Sequence, residues 1–284
     1  METTIRKIKE TLKNDFSASE INSIIRIIFG KLKNYSQVDI IMHKNDELSP
    51  FIKTKVEEVL ERLLKHEPIQ YIFNEAYFQG FTLKVTPHTL IPRPETEELV
   101  DIITKENKKS DLHILDIGTG SGAIAIALAR ALPFPVVDAI DISEEALQVA
   151  KDNAESLKAK VNFIKADILC ATPPVESYDI IVSNPPYIAD SERSAMEDNV
   201  LKYEPHTALF VPDSDPLRFY RAITLYAAKA LKPKGRIYFE INSRFGKETA
   251  SILSQNGFQD ISVIKDMYGL DRFVTASKAP DYDA

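Results

Sequence analysis

Apolar residues recur along this chain with two spacings, and the change from one to the other divides it. In the first stretch Ile21, Ile24, Ile25 and Ile28 fall at i, i+3, i+4 and i+7, one face of a helix. Ser17-Ala18-Ser19-Glu20 ahead of them is a capping box, in which Ser17 accepts from the Glu20 N–H and Glu20 reaches back. Gly30 lies just past that face and is expected to form a left-handed C-cap. A further helix is predicted from Ser49-Pro50, with Ser as N-cap and Pro at the first helical position. Its stripe is Ile52, Val56, Val59, Leu60, Leu63 and Leu64, and it stops before Pro68. The spacing then drops to two. Phe81, Leu83 and Val85 alternate with Thr82 and Lys84, as in a strand with one buried face, and Gln79-Gly80 is a candidate hairpin turn.

Beyond Asp111 short apolar runs alternate with helical patterns. Strands are predicted at Leu112–Ile117, Val136–Asp141, Val161–Lys165, Tyr178–Ser183 and Arg236–Ile241, with late strands at Phe258–Ile264 and Arg272–Ala276. Helices are predicted at Ala123–Leu132, at Glu144–Leu157 after an N-cap at Ser143, within Pro216–Leu231, and at Phe245–Gln255. Lys232-Pro233-Lys234-Gly235 reads as a turn. Strand–helix alternation of this kind predicts an α/β domain with a parallel sheet covered on both faces. The helical start is a separate small bundle in which no catalytic cluster stands out. His43 and His66 are isolated and read as surface or helix-end residues.

Composition narrows the partners. The chain has 284 residues, enough for about two domains. Its formal charge is −7, with a pI near 5.4, which argues against a sequence-independent grip on nucleic acid and suits a basic protein partner. Cys170 is the single cysteine, so no internal disulfide forms; it is expected to be a small core residue in a reducing compartment. The N-terminus is not a signal peptide and no apolar run approaches membrane-spanning length, so a cytoplasmic protein is expected.

Two motifs carry the candidate chemistry. Ile180-Ile181-Val182-Ser183 is a buried-strand run that enters Asn184-Pro185-Pro186-Tyr187. Two prolines end the strand and hold an Asn side chain and a Tyr ring at its carboxyl end, where open α/β sheets place ligands. A strand-ending turn is the plain alternative. Upstream, Asp116-Ile117-Gly118-Thr119-Gly120-Ser121-Gly122 runs from a strand into a glycine loop. Its spacing also satisfies the dinucleotide fingerprint, so NAD remains open at this point. Asp141-Ile142 ends the next strand, at the distance where an acid meets a ribose. Asp116 beside the loop suits a cationic ligand such as S-adenosylmethionine better than a pyrophosphate. Asp167 and Ile168, after the third strand, are placed to meet an adenine amino group and cover its ring, or else form a polar turn and a core Ile. Arg93, between Pro92 and Pro94, either lines a pocket or stiffens a hinge.

Taken together, these segments resemble the release-factor glutamine methyltransferases, the HemK or PrmC family. The carrying residues are Pro68-Ile69-Gln70-Tyr71-Ile72, Leu90-Ile91-Pro92-Arg93-Pro94-Glu95-Thr96-Glu97, Asp116 to Gly122, and Asn184 to Tyr187, with Tyr203-Glu204-Pro205 and Ala208-Leu209 as a further segment. The likeness is weak before about Glu67 and strong after it. The glycine loop is shared by many methyltransferases, and Asn-Pro-Pro-Tyr by enzymes acting on adenine amino groups; the proline-flanked Arg93 run narrows the family. Asn74 stands where the family commonly has Gly, and Asp215-Pro216-Leu217 replaces Asp-Gly-Leu.

The resemblance implies an α/β fold: a Rossmann-like class I S-adenosylmethionine-dependent methyltransferase domain of seven strands, the last antiparallel. The expected division is 1–72 as an N-terminal helical domain that docks substrate, 73–92 as a β-hairpin linker, 93–277 as the methyltransferase domain and 278–284 as a tail. The implied reaction methylates the glutamine amide of the Gly-Gly-Gln motif in peptide chain release factors, with no direct nucleic-acid or membrane partner and no metal. Carried over by position, Asp116, Gly118, Thr119, Gly120, Ser121, Gly122, Asp141, Ile142, Asp167, Ile168 and Asn184 would bind the cofactor. Asn184, Pro185 and Tyr187 would be catalytic, and Asn184 to Tyr187 with Arg93 would receive the glutamine. Three alternatives stand beside it: glutamine methylation of a ribosomal protein, adenine-amino methylation of DNA on a flipped base, and a non-catalytic binding module.

Overall fold

Helix stripes bury because an amphipathic helix is stable only against a partner. The structure, a computed structural model, describes residues 1–280; of the tail expected at 278–284, residues 281–284 lie outside the described residues. The chain forms two compact units, Met1–Asn74 with Glu197–Tyr203, and Glu75–Met196 with the chain from Glu204 onward. The helices in the first run are α1 (Glu2–Leu12), α2 (Ala18–Lys33), α3 (Gln37–Met42), α4 (Pro50–Leu63) and α5 (Ile69–Phe73).

Within the first unit the predicted stripes form the core except at Leu64, which caps α4 and is exposed: Ile21, Ile24, Ile25 and Ile28 of α2 pack with Ile52, Val56, Val59, Leu60 and Leu63 of α4. The capping box closes α2 as expected, Glu20 N–H donating to Ser17 Oγ at 3.3 Å and Ser17 N–H to Glu20 Oε2 at 2.8 Å. Gly30 is not the C-cap. The helix runs on to Lys33 and ends at Asn34, φ 56°. Leu32 continues the apolar face against the core, and that further turn of burial outweighs the ~1 kcal/mol cost of an interior glycine. Asn74 caps α5 at φ 53°, so the turn survives without glycine. Arg62 holds Glu67 at 2.7 Å and donates to the Ile72 carbonyl at 3.2 Å, tying α5 to α4.

The second unit opens with a hairpin, β1 (Glu75–Phe78) and β2 (Phe81–Lys84), turned at Gln79 and Gly80, φ 46° and 81°. There follow α6 (Pro94–Glu106), β3 (His113–Ile117), α7 (Ala123–Ala131), β4 (Val136–Asp141), α8 (Glu144–Ser156), β5 (Asn162–Lys165), β6 (Tyr178–Ser183) and the short β7 (Ile188–Ala189). After α9 (Asp198–Tyr203), which belongs to the first unit, come α10 (His206–Leu209), β8 (Phe210–Val211), α11 (Arg218–Ala230), β9 (Leu231–Glu240), α12 (Gly246–Gln255), β10 (Phe258–Lys265) and β11 (Asp271–Lys278).

Seven strands form one sheet in the order β10-β11-β9-β6-β3-β4-β5, with β11 antiparallel to both neighbours and the pairs from β9 to β5 parallel. This is the class I methyltransferase order. The predicted Lys232–Gly235 turn is a break inside β9: Tyr178 faces Leu231 but Ile180 faces Arg236. Lys234 takes φ 62°, and a Cβ at Gly235 would lie 2.8 Å from the Lys232 carbonyl. Cys170, expected in the core, is exposed in the turn after edge strand β5. Among the described residues no helix is long and apolar enough to cross a membrane.

Register sets what meets at the carboxyl edge of the sheet. Ile117 of β3 lies opposite Ile140 of β4 and Ser183 of β6, and Ser183 lies opposite Phe239 of β9. One residue further on, Gly118, Asp141, Asn184 and Glu240 therefore leave the sheet in a single row, where strand order reverses about β3. Buried Asn153 of α8 ties the glycine loop to the hairpin. It accepts from Lys84 N–H at 2.6 Å and donates to the carbonyls of Lys84 and Ser121, each at 2.9 Å. Asn153→Leu leaves these backbone groups unpaired. Urea denaturation is expected to show a loss of about 2–4 kcal/mol with an unchanged m-value.

Candidate active site

The glycine loop is built over a buried acid. Asp116 has no exposed surface; its Oδ2 accepts from Thr119 O–H at 2.7 Å and from Ala125 N–H at 3.2 Å, which ties strand β3 to the start of α7. Its Oδ1 has no hydrogen-bond partner among the described residues. Burial pushes this carboxyl up to about 7, against the pull of Thr119 and Ala125 and with a further push from Asp141. Gly118 and Gly120 take φ 76° and 55°, and a Cβ on either would meet nothing within 4 Å. Gly122 is needed for packing: a Cβ there would sit 3.0 Å from Ile126 Cδ1 and 3.1 Å from Ala150 Cβ, where α7 and α8 approach. Thr119 and Ser121 are buried inside the turn.

Asp141 closes the other side of the loop. Its Oδ2 accepts from Gly120 N–H at 2.8 Å and its Oδ1 from Ser143 N–H at 3.0 Å. Burial raises its pKa against those backbone bonds. Three backbone N–H groups, of Gly120, Ser143 and Ile142, act on its four lone pairs, so the carboxyl keeps acceptor capacity for a ligand hydroxyl.

A cavity of about 330 Å³ opens along this row. Of the residues expected from sequence it brings together Gly118, Gly120, Asp141, Ile142, Asp167, Ile168, Asn184, Pro185 and Pro186. Its walls are largely apolar with a few converging polar groups, as small-molecule sites are. Asp116, which precedes the loop, and Thr119, Ser121 and Gly122 within it do not line the cavity. Tyr187 is not in the lining either: its ring packs against the core, and its O–H donates to Glu240 Oε1 at 3.3 Å. Burial, then Glu240, pushes that phenol up. Arg93 pairs with Glu204 at 2.6 Å, and Glu204 also accepts from Ile91 N–H at 3.3 Å. The proline-flanked arginine thus fastens its own segment, and it is the neighbouring His88, Thr89 and Leu90 that line the cavity.

Two residues escaped the sequence reading. Thr96 donates to Glu240 at 2.7 Å and accepts from Asn184 Nδ2 at 3.3 Å. The available signal was an acid ending an apolar run, Ile237-Tyr238-Phe239-Glu240, at a predicted strand's carboxyl end.

Comparison with known proteins places the chain. A family model described as the PrmC N-terminal domain matches residues 3–73, and one described as the Methyltransferase small domain matches residues 95–203. A release factor glutamine methyltransferase of Bacteroides thetaiotaomicron is 46% identical over 272 residues, 95% of this chain and 98% of that protein. A protein of the same name from Flavobacterium psychrophilum is 45% identical over 269 residues, 93% of this chain and 94% of its own length. Among solved structures, a methyltransferase from Pyrococcus furiosus shares the fold at a TM-score of 0.53 and 19% identity, covering 78% of this chain and 99% of that one.

The buried acid has a measurable signature. An unfolded carboxyl titrates near 3.9, whereas burial pushes Asp116 in the folded protein up to about 7. Folding therefore favours its protonated form, so the stability tied to this proton is full below pH ~4 and is lost as pH rises toward ~7. Asp116→Asn abolishes the titration. Across pH 4 to 8 the variant is expected to gain about 2–4 kcal/mol in unfolding free energy relative to the wild type. Urea denaturation at several pH values checks this; a pH-independent difference would contradict it.

Proposed function

The chain belongs to the release factor glutamine methyltransferase family, and from that premise we propose that it methylates the side-chain amide nitrogen of the glutamine in the Gly-Gly-Gln motif of peptide chain release factors. It is an S-adenosylmethionine-dependent methyltransferase. The observation that carries the reading is one cavity, lined at once by the glycine loop, Asp141 and the Asn184-Pro185-Pro186 corner.

The residues fit the cofactor. Asp116 Oδ1 is buried and without a partner, and a carboxylate there favours the ammonium and sulfonium of the methionine part. Gly118 and Gly120 leave the space above the loop open to it. The spare lone pairs of Asp141 suit the ribose hydroxyls, and Asp167 with Ile142 and Ile168 suits the adenine. Thr119, Ser121 and Gly122 hold the shape of the loop from within.

Bound S-adenosylmethionine supplies a methyl group on a sulfonium, an electrophile with a neutral leaving group. An amide nitrogen is a weak nucleophile, because its lone pair is delocalised into the carbonyl. Asn184 Oδ1 and the Pro185 carbonyl accept from the substrate NH₂, orient it, and stabilise positive charge growing on nitrogen as the N–C bond forms and the C–S bond breaks. Tyr187 stiffens the corner from behind. The extra proton on the product nitrogen is acidic and leaves to water afterwards, so no strong base is required before transfer. The gain comes from positioning and preorganised charge.

The finer assignments belong to the same proposal. The helical unit docks the release factor, the acidic charge disfavours direct contact with nucleic acid, and the enzyme works in the cytoplasm beside the translation machinery. Labelled-methyl transfer to a purified release factor, a ribosomal protein and DNA, side by side, is expected to mark the release factor at its glutamine. Label on either alternative instead would overturn the assignment. Asn184→Ala is expected to lower turnover about 10²–10³-fold, and near-normal turnover would remove Asn184 from the mechanism.

A further inference from the structure

Glu240 has no part in the reaction as described, yet it is only 1% exposed and stands next to Asn184 in the row of strand ends. Each of its oxygens is met by a hydroxyl. Thr96 O–H donates to Oε2 at 2.7 Å and Tyr187 O–H donates to Oε1 at 3.3 Å. Thr96 is met in turn by Asn184 Nδ2 at 3.3 Å. While Glu240 is ionised, the direction of this chain is forced. An ionised carboxylate only accepts, and a hydroxyl has a single proton. Once Thr96 commits its proton to Glu240, only lone pairs remain for Asn184, which has to turn its NH₂ toward them.

We propose that Glu240 and Thr96 are positioning residues that fix the side-chain amide of Asn184, with Nδ2 held by Thr96 and Oδ1 left for the substrate NH₂. This rests on the proposed reaction. A primary amide is nearly symmetric in shape, and packing alone distinguishes its oxygen from its nitrogen poorly. A flipped Asn184 would present a donor to a donor and repel the glutamine NH₂. The relay removes that alternative before substrate arrives.

The state of Glu240 sets the relay's direction. Burial pushes its carboxyl up to about 7, while Thr96, Arg272 and Tyr187 hold it down and Glu95 adds to the push. Arg272 is itself anchored to buried Asp266 at 3.0 Å. When Glu240 is protonated it can donate to Thr96, Thr96 can donate to Asn184 Oδ1, and the amide loses its bias. Turnover should therefore fall as pH falls through the Glu240 titration.

The test uses the full chain with a release factor as methyl acceptor. Thr96→Val removes the hydroxyl and keeps the volume; kcat is expected to drop about 10–100-fold. KM for the release factor and the calorimetric Kd for S-adenosylmethionine are expected to stay within about threefold, the pattern of an interaction felt in the transition state. Thr96→Ser should recover most of the loss. Glu240→Gln should remove the acid limb of kcat between pH 6 and 8. Independently of activity, the Asn184 side-chain ¹H–¹⁵N signals, assigned by their absence in Asn184→Ala, should move in Thr96→Val and return in Thr96→Ser. Unchanged kcat and unchanged signals in Thr96→Val would overturn the relay and leave the reaction standing. Loss of cofactor binding in parallel with kcat would overturn it in favour of a merely structural role. A wild type that leaves the release factor unlabelled, while the Asn184 signals still follow Thr96, would overturn the reaction and support the relay.

Discussion

Charging a carboxyl without water around it is costly, and this protein places two such groups at the carboxyl edge of one parallel sheet. Asp116 is the penultimate residue of β3 and Glu240 ends β9; both are fully or almost fully buried, and each is bonded to a threonine hydroxyl at 2.7 Å. Around Asp116 the bonds to Thr119 and Ala125 give the glycine loop its shape. Around Glu240 the bonds to Thr96 and Tyr187 join α6 to the proline corner. Between these acids, in register, lies β6 with Asn184. The cavity is what remains once both carboxylates have organised their neighbours. Its polar lining is sparse because much of the polar work is done one layer down.

That layering also decides what could be read from the chain before its fold was in hand. The seven strands announced themselves as apolar runs, and their alternation with helices gave the parallel sheet. Ser17, Ser49 and Ser143 each cap the helix that local chemistry assigned to them. Gly118, Gly120, Asp141, Asn184 and Pro185 were visible because their roles are local: a tight turn, a strand end, a proline corner. Gly30 misled for the same reason, since a local preference lost to a stripe that continued through Leu32. Cys170 misled because exposure in a turn after an edge strand is set by topology, not by residue type.

Long-range pairs left no local mark. Thr96 and Glu240 are 144 positions apart, and Arg93 and Glu204 are 111 apart. Arg93 between two prolines read either as a pocket-lining group or as part of a stiff hinge. Its charge is instead neutralised by an acid from a distant loop, and the same acid accepts the Ile91 N–H, so the stiff segment is stapled where His88 to Leu90 can wall the cavity. The acid ending an apolar strand run was the one hint of Glu240. Only strand register turns such a hint into a neighbour, because register decides which strand ends stand side by side.

The double proline has a consequence for selectivity between an amide and its acid. Pro185 and Pro186 carry no N–H, and one of the two hydrogens of the Asn184 NH₂ is taken by Thr96. A corner built this way offers more oxygen lone pairs than hydrogens. In the proposed reaction a side chain ending in NH₂ finds matching partners there, whereas a carboxylate of the same shape meets the lone pairs of Asn184 Oδ1 and the Pro185 carbonyl. Hydrolytic loss of ammonia from the target side chain would thus turn a substrate into a rejected look-alike.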